Sequence, residues 1–252
     1  MFFHDLVPEK FNIANDDTLT NPKHWDNQPF ELIVSNPPYA IKWAGDDNPL
    51  LINDPRFSPA GVLAPKSKAD FAFIMHSLSW LASNGTAAIV CFPGIMYRGG
   101  AEQKIRRYLV DNNYVDCIMQ LPDNLFFGAS IATCILVMKK NKPDNNILFI
   151  DASNEFTKST NNNRLTPDNI NKIVEAYTNR EDVKHFCKLV SHETIANENY
   201  NLSVSTYVEQ EDKREKIDIT KLNAEISEIV AHLQALRDEI DRIIAEIENV
   251  RS

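Results

Sequence analysis

The hydrophobic pattern of residues 1–151 alternates between short apolar runs and longer segments with helical spacing. The runs that indicate β-strands are residues 11–14, 30–35, 86–92, 114–121, 131–138 and 147–150. Residues 86–92 are uncharged and mostly apolar, which is typical of a strand covered on both faces. Strands that alternate with helices predict an α/β sheet with right-handed crossovers. Residues 147–150 are expected at an edge of that sheet.

Two helices are predicted between these strands. The first begins near residue 68, where Ser67 and Asp70 have the spacing of a capping box, and it ends at residues 84–85, an Asn-Gly pair. The second covers residues 101–110 and is amphipathic. Residues 40–66, between the strand run at 30–35 and the first helix, are rich in proline, and a loop of this length is usually functional or disordered.

The composition changes after residue 151. Residues 152–210 are polar and rich in asparagine, and they predict a small irregular extension with one helix over residues 166–177. Thr166 is placed to cap that helix, with Pro167 at its first position. The chain is therefore divided into an α/β domain at 1–151, an irregular extension at 152–210 and a helical segment at 211–252.

The C-terminal segment carries an unbroken heptad pattern, which we call the seam. Its apolar residues are spaced alternately by three and four positions: Ile219, Leu222, Ile226, Ile229, Leu233, Leu236, Ile240, Ile243, Ile247 and Val250. This period is typical of coiled coils. A single amphipathic helix lying on its own domain is the alternative. Because a helix of about 48 Å would overhang a small domain, we expect it to pack against helices of another chain.

Composition and charge narrow the class of protein. The 252 residues are 43% apolar, yet no run approaches the roughly 18 apolar residues of a membrane span, and the N-terminus lacks the pattern of a signal peptide. The four cysteines form no CxxC pair and are expected to be buried reduced thiols in a cytoplasmic protein. The six histidines show no ligand spacing, so we expect no metal.

The net charge of −9 argues against strong non-specific nucleic-acid binding by this chain alone. Residues 209–252 hold twelve acidic and seven basic residues, a net of −5, which leaves −4 for the other 208. A local basic groove is therefore still possible in the first part of the chain. Side chains that could contact phosphates there, or else be ordinary solvated charges, are Lys42, Lys66, Lys68, Arg98, Arg106 and Arg107.

The tetrapeptide Asn36-Pro37-Pro38-Tyr39 directly follows the strand candidate at 30–35. The Asn36 side-chain oxygen and the Pro37 carbonyl can both accept hydrogen bonds from one amino group, and the two prolines stiffen the loop that presents them. The Tyr39 ring can stack on the plane that carries the amine. Such a turn indicates a site for a planar amine, with a plain proline-rich turn as the alternative.

This turn and several further motifs resemble the modification subunit of type I restriction–modification systems, a group of adenine-N6 DNA methyltransferases. The similarity covers essentially the whole chain. The segments that carry it are residues 16–19, 35–39, 68–73, 85–90, 98–102 and 121–127. The resemblance implies a Rossmann-like S-adenosylmethionine-dependent methyltransferase sheet followed by a long coiled-coil-type helix.

The resemblance also implies roles for individual residues. Asn36 and the Pro37 carbonyl would accept from the adenine N6 amine, and Tyr39 would stack on a base flipped out of double-stranded DNA. Phe126 or Phe127 would pack on the other face or edge of the base, with core packing as the alternative for both. Methyl transfer would be direct, without a covalent enzyme intermediate.

The cofactor implied by the resemblance is S-adenosylmethionine, and this chain carries only part of its expected site. Asp17 falls where the family has an acidic residue near the cofactor, although it could equally be a turn residue, and Asn36 is the other candidate contact. None of the seven glycines forms GxG, so the main cofactor turn is absent. We therefore expect a C-terminal piece of a longer subunit that lacks the first two strands, binds cofactor weakly and is inactive alone.

The implied partners are a specificity subunit, docked through residues 219–250, and a restriction subunit. The resemblance leaves the DNA recognition sequence open, because another subunit reads the bases. Two alternatives remain at this point: a protein-glutamine N5 methyltransferase, and a non-catalytic assembly module that acts through the C-terminal helix.

Overall fold

The computed structural model describes residues 11–24, 28–126, 130–211 and 218–250, with side chains to residue 247 in the last range. Its contacts divide the chain into two compact units, Met1–Gln210 and Glu211–Ser252. The described part contains no helix that is both long enough and apolar enough to cross a membrane.

The strands of the first unit are short, and most belong to one sheet. They are β1 (Phe30–Ser35), β2 (Leu81–Cys91), β3 (Val115–Gln120), β4 (Cys134–Lys139), β5 (Ile147–Asp151), β6 (Thr157–Lys158), β7 (Asn163–Arg164) and β8 (Cys187–Val190). The main sheet has the order β1-β2-β4-β3-β5-β8, and β6 and β7 form a separate two-stranded ribbon.

The main sheet is mixed. The pairs β1/β2 and β3/β5 are parallel, whereas β4 runs antiparallel to both of its neighbours and β8 runs antiparallel to β5. The carboxyl ends of β1, β2, β3 and β5 therefore meet at one edge of the sheet, together with the amino end of β4. This side of the sheet, where these strands end, is called the carboxyl edge below; it is distinct from the outermost strands β1 and β8. The predicted α/β methyltransferase-like sheet is confirmed.

Helices of the first unit cover both faces of this sheet. They are α1 (Asp70–Trp80), α2 (Ala101–Asp111), α3 (Pro167–Asn179), α4 (His192–Asn197) and α5 (Val204–Tyr207). Helix α6 (Ile219–Val250) belongs to the second unit. One buried cluster joins α1 and α2 to the sheet through Phe71, Ile105 and Ile89. A second cluster, with Ile173 of α3 and Leu148 of β5, covers the opposite face. The prediction of α3 is confirmed, because Thr166 caps it in a capping box and Pro167 opens it.

The predicted limits of α1 are wrong at both ends. The N-cap is Ala69, which makes no side-chain cap, so Ser67 and Asp70 do not form a capping box. The helix ends at Trp80, and the Asn-Gly pair lies inside β2 instead. A Cβ on Gly85 would lie 2.9 Å from the Phe30 carbonyl oxygen. Glycine is therefore required there by the close approach of β1, where the register shifts, and not by a helix end.

Three strand predictions need correction. Residues 11–14 form no strand, and Ile13 in that segment is 67% exposed without a pairing partner. The strand predicted at 131–138 begins only at Cys134. The strand at 147–150 is not at the edge, because β8 pairs outside it. The sequence analysis missed β8, since only four residues of a largely polar region form it.

Strand β1 lies at one edge of the described sheet and exposes large apolar side chains. Leu32 is 66% exposed and Val34 is 75% exposed, whereas Ile89 in the neighbouring strand is fully buried. Exposed apolar edge strands of this kind are normally paired or covered. The four cysteines are free and buried, as expected.

Helix α6 makes up most of the described part of the second unit. Asp218 caps it by accepting from the backbone N–H groups of Thr220 and Lys221. The seam residues from Ile219 to Ile247 are 43–69% exposed, so the apolar face found in the sequence is uncovered in this chain.

Candidate functional site

The turn formed by Asn36–Tyr39 directly follows β1 and therefore lies at the carboxyl edge of the sheet. Asn36 and Pro38 are exposed, and Tyr39 is half-buried. All peptide bonds in the described residues are trans. The turn presents polar groups outward from a strand that is fixed against β2 through five register positions.

The side chains of Asn36 and Tyr39 are bonded to each other. The Tyr39 hydroxyl donates to Asn36 Oδ1 at an O···O distance of 2.7 Å. The amide oxygen that is predicted to hold an amine is thus oriented to accept a donor, and the tyrosine hydroxyl currently supplies one. An amine bound here competes with that hydroxyl for the lone pairs of Asn36 Oδ1. Burial raises the pKa of Tyr39 above its ordinary value, and nearby Cys91 and Cys134 act in the same direction, so the hydroxyl stays a donor.

The exit from the turn is held by α1. The backbone N–H of Ala40 donates to both carboxylate oxygens of Asp70, each at 3.2 Å, and Ala40 has a φ of +49°. The backbone N–H of Ala69 donates to the Ile41 carbonyl at 2.9 Å. Asp70 is only 6% exposed, so the carboxylate lies between the turn and the buried helix.

The segment that contains Asp17 is fixed beside the same turn. The buried Arg56 guanidinium donates to the carbonyls of Thr18, at 3.2 Å, and Leu19, at 2.7 Å. Asp17 itself is exposed, and its Oδ1 accepts from the Leu19 backbone N–H at 2.9 Å, which makes it a turn-forming residue in this structure. The cofactor contact predicted for Asp17 stays a prediction.

A cleft of about 400 Å³ separates the Thr18 segment from the turn. Its lining is shared by the Thr18 segment, β1, the turn and α1: Thr18, Phe30, Leu32, Ile33, Val34, Ser35, Pro37, Pro38, Phe73, His76, Ser77 and Trp80. His76 Nδ1 lies 3.1 Å from Arg56 Nη1 and accepts its N–H, so the imidazole is neutral. Burial and the positive charge of Arg56 lower the pKa of His76 to about 4. This neutral histidine was not among the predicted site residues.

The cleft beside the turn is lined mainly by proline and other apolar side chains. Thr18 lines it, whereas the exposed carboxylate of Asp17 does not, and the sequence has no glycine-rich turn. No cluster of His, Cys, Asp or Glu suited to a metal ion occurs among the described residues.

Phe126 lies in the loop after β3, which leaves the sheet at the carboxyl edge, and it is half-buried. Strand β3 is three positions from β1, about 14 Å at the usual strand spacing. The six residues from Leu121 to Phe126 can reach about 20 Å when extended. In this structure, however, the loop is bonded to residues 161–163: the carbonyl of Phe126 accepts from Asn162 Nδ2 at 3.5 Å, and that of Asn124 accepts from the Asn163 backbone N–H at 2.9 Å. The stacking role of Phe126 stays a prediction. Phe127 lies outside the described residues.

The basic residues singled out in the sequence differ in their burial and in their partners. Arg106 is 1% exposed and donates to the carbonyls of Ile95 and Tyr200, so both readings of it, a phosphate contact and a solvated charge, are wrong and its role is structural. Arg107 is paired with Asp111 on the surface, and Lys66 with Asp47. Arg98 stacks over the Phe92 ring at 5.1 Å, and its Nη1 lies 3.7 Å from Glu102 Oε1. Lys42, three residues after the turn, is exposed, and Lys68 is half-buried.

Comparison with known proteins agrees with this geometry. Residues 1–216 match the family described as N-6 DNA Methylase. The chain belongs to this family. The methylase subunit of the type I restriction enzyme MpnII from Mycoplasma pneumoniae is 51% identical over 98% of the chain, and that of MjaVII from Methanocaldococcus jannaschii is 33% identical over 95%.

A solved structure shows the same fold. The type I restriction-modification methyltransferase subunit from Streptococcus thermophilus superposes with a TM-score of 0.80 at 42% identity, covering 83% of this chain and 45% of that one. This N-6 DNA methylase chain spans about half the length of the curated relatives, 47% of the first and 43% of the second.

Proposed function

We propose that this chain forms the acceptor half of an adenine-N6 DNA methyltransferase in a type I restriction–modification system. The observation that carries the proposal is the accepting Asn36 Oδ1 beside Tyr39, presented by a rigid turn at the carboxyl edge of the sheet. The relatives are named methylase subunits of type I restriction enzymes, which favours DNA over the protein-glutamine alternative.

In the proposed reaction, a flipped adenine brings its N6 amine to the position now held by the Tyr39 hydroxyl. Asn36 Oδ1 and the Pro37 carbonyl accept the two N–H groups, which leaves the nitrogen lone pair directed at the electrophile. Tyr39 turns from its bond with Asn36 and stacks on the base. Phe126 or Phe127 packs on the other face or edge. S-adenosylmethionine, when bound, supplies the methyl group; Asp17 and Asn36 are the residues of this chain proposed to contact it.

The rest of the methyltransferase sheet is proposed to cover β1. Leu32 and Val34 are the apolar side chains that such a neighbour would bury, and the cleft beside the turn would become enclosed. The isolated chain is therefore proposed to be inactive. Residues 1–151 remain the proposed catalytic part and 152–210 the extension.

The seam of α6 is proposed to bind helices of a specificity subunit, and the complete assembly also includes a restriction subunit. Supporting this, the seam is half-exposed along its length, and Val230 and Ile244 widen the apolar face at 59% and 48% exposure. This assembly role is compatible with the catalytic one. Replacing Leu233 and Leu236 by Asp should abolish capture of the specificity subunit, whereas replacing the off-seam Gln234 and Asp238 by Lys should preserve it.

The decisive experiment combines this chain with the remainder of a methylase subunit and a specificity subunit. Labelled S-adenosylmethionine is then offered with DNA carrying the recognition sequence, or with protein. Label in DNA is expected. Label in protein alone would contradict the proposal.

A further inference from the structure

Ala40, the residue after the turn, has an unusual backbone conformation. Its φ of +49° lies in the left-handed region, which a Cβ disfavours and which glycine or asparagine usually occupies. Ala40 is also exposed, so packing of its own side chain does not enforce the conformation. A contact made by its backbone must hold it.

That contact is the carboxylate of Asp70. Both oxygens lie 3.2 Å from the Ala40 nitrogen, and Asp70 is 6% exposed. Hydrogen bonds to an ionised acceptor are stronger than neutral ones. An acid at the first position of a helix commonly serves the helix N-terminus, but α1 has no side-chain cap and Asp70 is directed to the turn instead.

The start of α1, which carries Asp70, is packed into the main core. Phe71 and Ile74, one and four residues further along α1, are 1% and 0% exposed in the main core. The hydrogen bond from the Ala69 N–H to the Ile41 carbonyl adds a second contact, at the residue after Ala40. Two consecutive residues after Tyr39 are thus hydrogen-bonded to the start of a buried helix.

We propose that Asp70 is a positioning residue for the amine site: its carboxylate holds Ala40 in the left-handed conformation and so fixes the direction of Asn36 and Tyr39. The role rests on the proposed function, because it assigns Asp70 to the same site. Asp70 does not touch the base. It acts through the backbone of the turn.

The test uses the full 252-residue chain and reads the turn directly by NMR. The Ala40 amide proton, the Asn36 side-chain amide and the Tyr39 ring are followed in Asp70→Asn and Asp70→Ala. The control is Asp116→Asn: Asp116 is 3% exposed and accepts from Tyr177 and Arg180 of the α3 region, so its loss weakens the fold elsewhere. Melting temperatures of all variants are recorded.

In Asp70→Ala, the Ala40 amide proton should shift upfield and exchange about tenfold faster or more, because a hydrogen bond to a charged group is lost. The Asn36 and Tyr39 signals should move with it. Asp70→Asn, which keeps one accepting oxygen, should be intermediate and also serves if Asp70→Ala does not fold. Asp116→Asn should leave all three signals in place at a lowered melting temperature. Unchanged Ala40 and Tyr39 signals in a folded Asp70 variant would overturn the proposal.

Adenosine titrated into the same samples separates the two proposals. The dissociation constant should rise about tenfold in Asp70→Ala and stay unchanged in Asp116→Asn, which a merely structural role would not produce. If adenosine perturbs none of the turn signals even in the wild-type chain, the proposed amine site fails while the Ala40 result still decides the role of Asp70. Equal weakening in both variants would show that Asp70 acts only through stability.

Discussion

The bond between Tyr39 and Asn36 leads to a counter-intuitive prediction: removing the tyrosine hydroxyl should strengthen binding of the base. In the free chain that hydroxyl donates to Asn36 Oδ1 at 2.7 Å, and in the proposed complex Tyr39 gives up this hydrogen bond to stack on the base. Tyr39→Phe removes the bond and keeps the ring for stacking.

The magnitude follows from the contact. A neutral intramolecular hydrogen bond contributes about 0.5–1.5 kcal/mol net. If binding no longer has to offset this free energy, adenosine should bind about 2- to 12-fold more tightly to Tyr39→Phe, since about 1.4 kcal/mol corresponds to a factor of ten. Asn36→Ala, which removes the acceptor, should weaken binding instead.

Isothermal titration with adenosine measures both changes. Tyr97→Phe is the matched control, because Tyr97 is 58% exposed and follows β2 at the carboxyl edge. Tyr97→Phe should bind adenosine with the same affinity as the wild-type chain. Weaker binding by Tyr39→Phe would refute the reasoning and would mean that the hydroxyl contacts the base itself.

Three further predictions concern stability and are read by denaturant unfolding. His76 has a pKa of about 4 in the folded chain against 6.5 in the unfolded chain. Its contribution to the free energy of unfolding is therefore complete above pH 6.5, and about 3 kcal/mol of it is lost as the pH falls towards 4. His76→Gln should remove this part of the pH dependence, and an unchanged plot of unfolding free energy against pH would contradict the prediction. Arg106→Met leaves the carbonyls of Ile95 and Tyr200 without their donor and should lower the free energy of unfolding by about 2–4 kcal/mol. Arg107→Met, at the surface, should lower it by less than about 1 kcal/mol. Similar losses in the two variants would be inconsistent with a structural role for Arg106. Gly85→Ala should lower the free energy of unfolding by about 1–3 kcal/mol, because the added Cβ would meet the backbone of β1. At Gly99 the nearest atom to an added Cβ is 4.0 Å away, so Gly99→Ala should change stability by less than about 0.5 kcal/mol. A Gly85→Ala variant of unchanged stability would contradict the close approach of β1 to Gly85.

The sheet was largely predictable because its strands are apolar and its helices have clear caps or spacing. Residues 86–92 and 115–120 are recognisable as buried strands since both faces are covered. The Asn-Gly pair at 84–85 was misread because local turn propensity favoured a helix end, while the backbone of β1 required a glycine in the strand. Local signals cannot show that a neighbouring strand approaches so closely.

The site was predictable as a motif but not as a geometry. The sequence indicates that Asn36 accepts and Tyr39 stacks, but not that the two side chains bond to each other. Asp70 has the spacing of a capping residue, and only the tertiary fold reveals its bond to Ala40, thirty positions away in the chain. Arg106 was misassigned for the same reason, since its partners come from residues near 95 and 200.

The most direct test of the central claim is to identify the methylated base. DNA methylated by the assembly of this chain, the remaining half of a methylase subunit and a specificity subunit is digested to nucleosides and analysed by mass spectrometry. The account predicts N6-methyladenine, lost in Asn36→Ala and retained in the Arg107→Met control. Methylated cytosine, or N6-methyladenine at an undiminished level in Asn36→Ala, would contradict it.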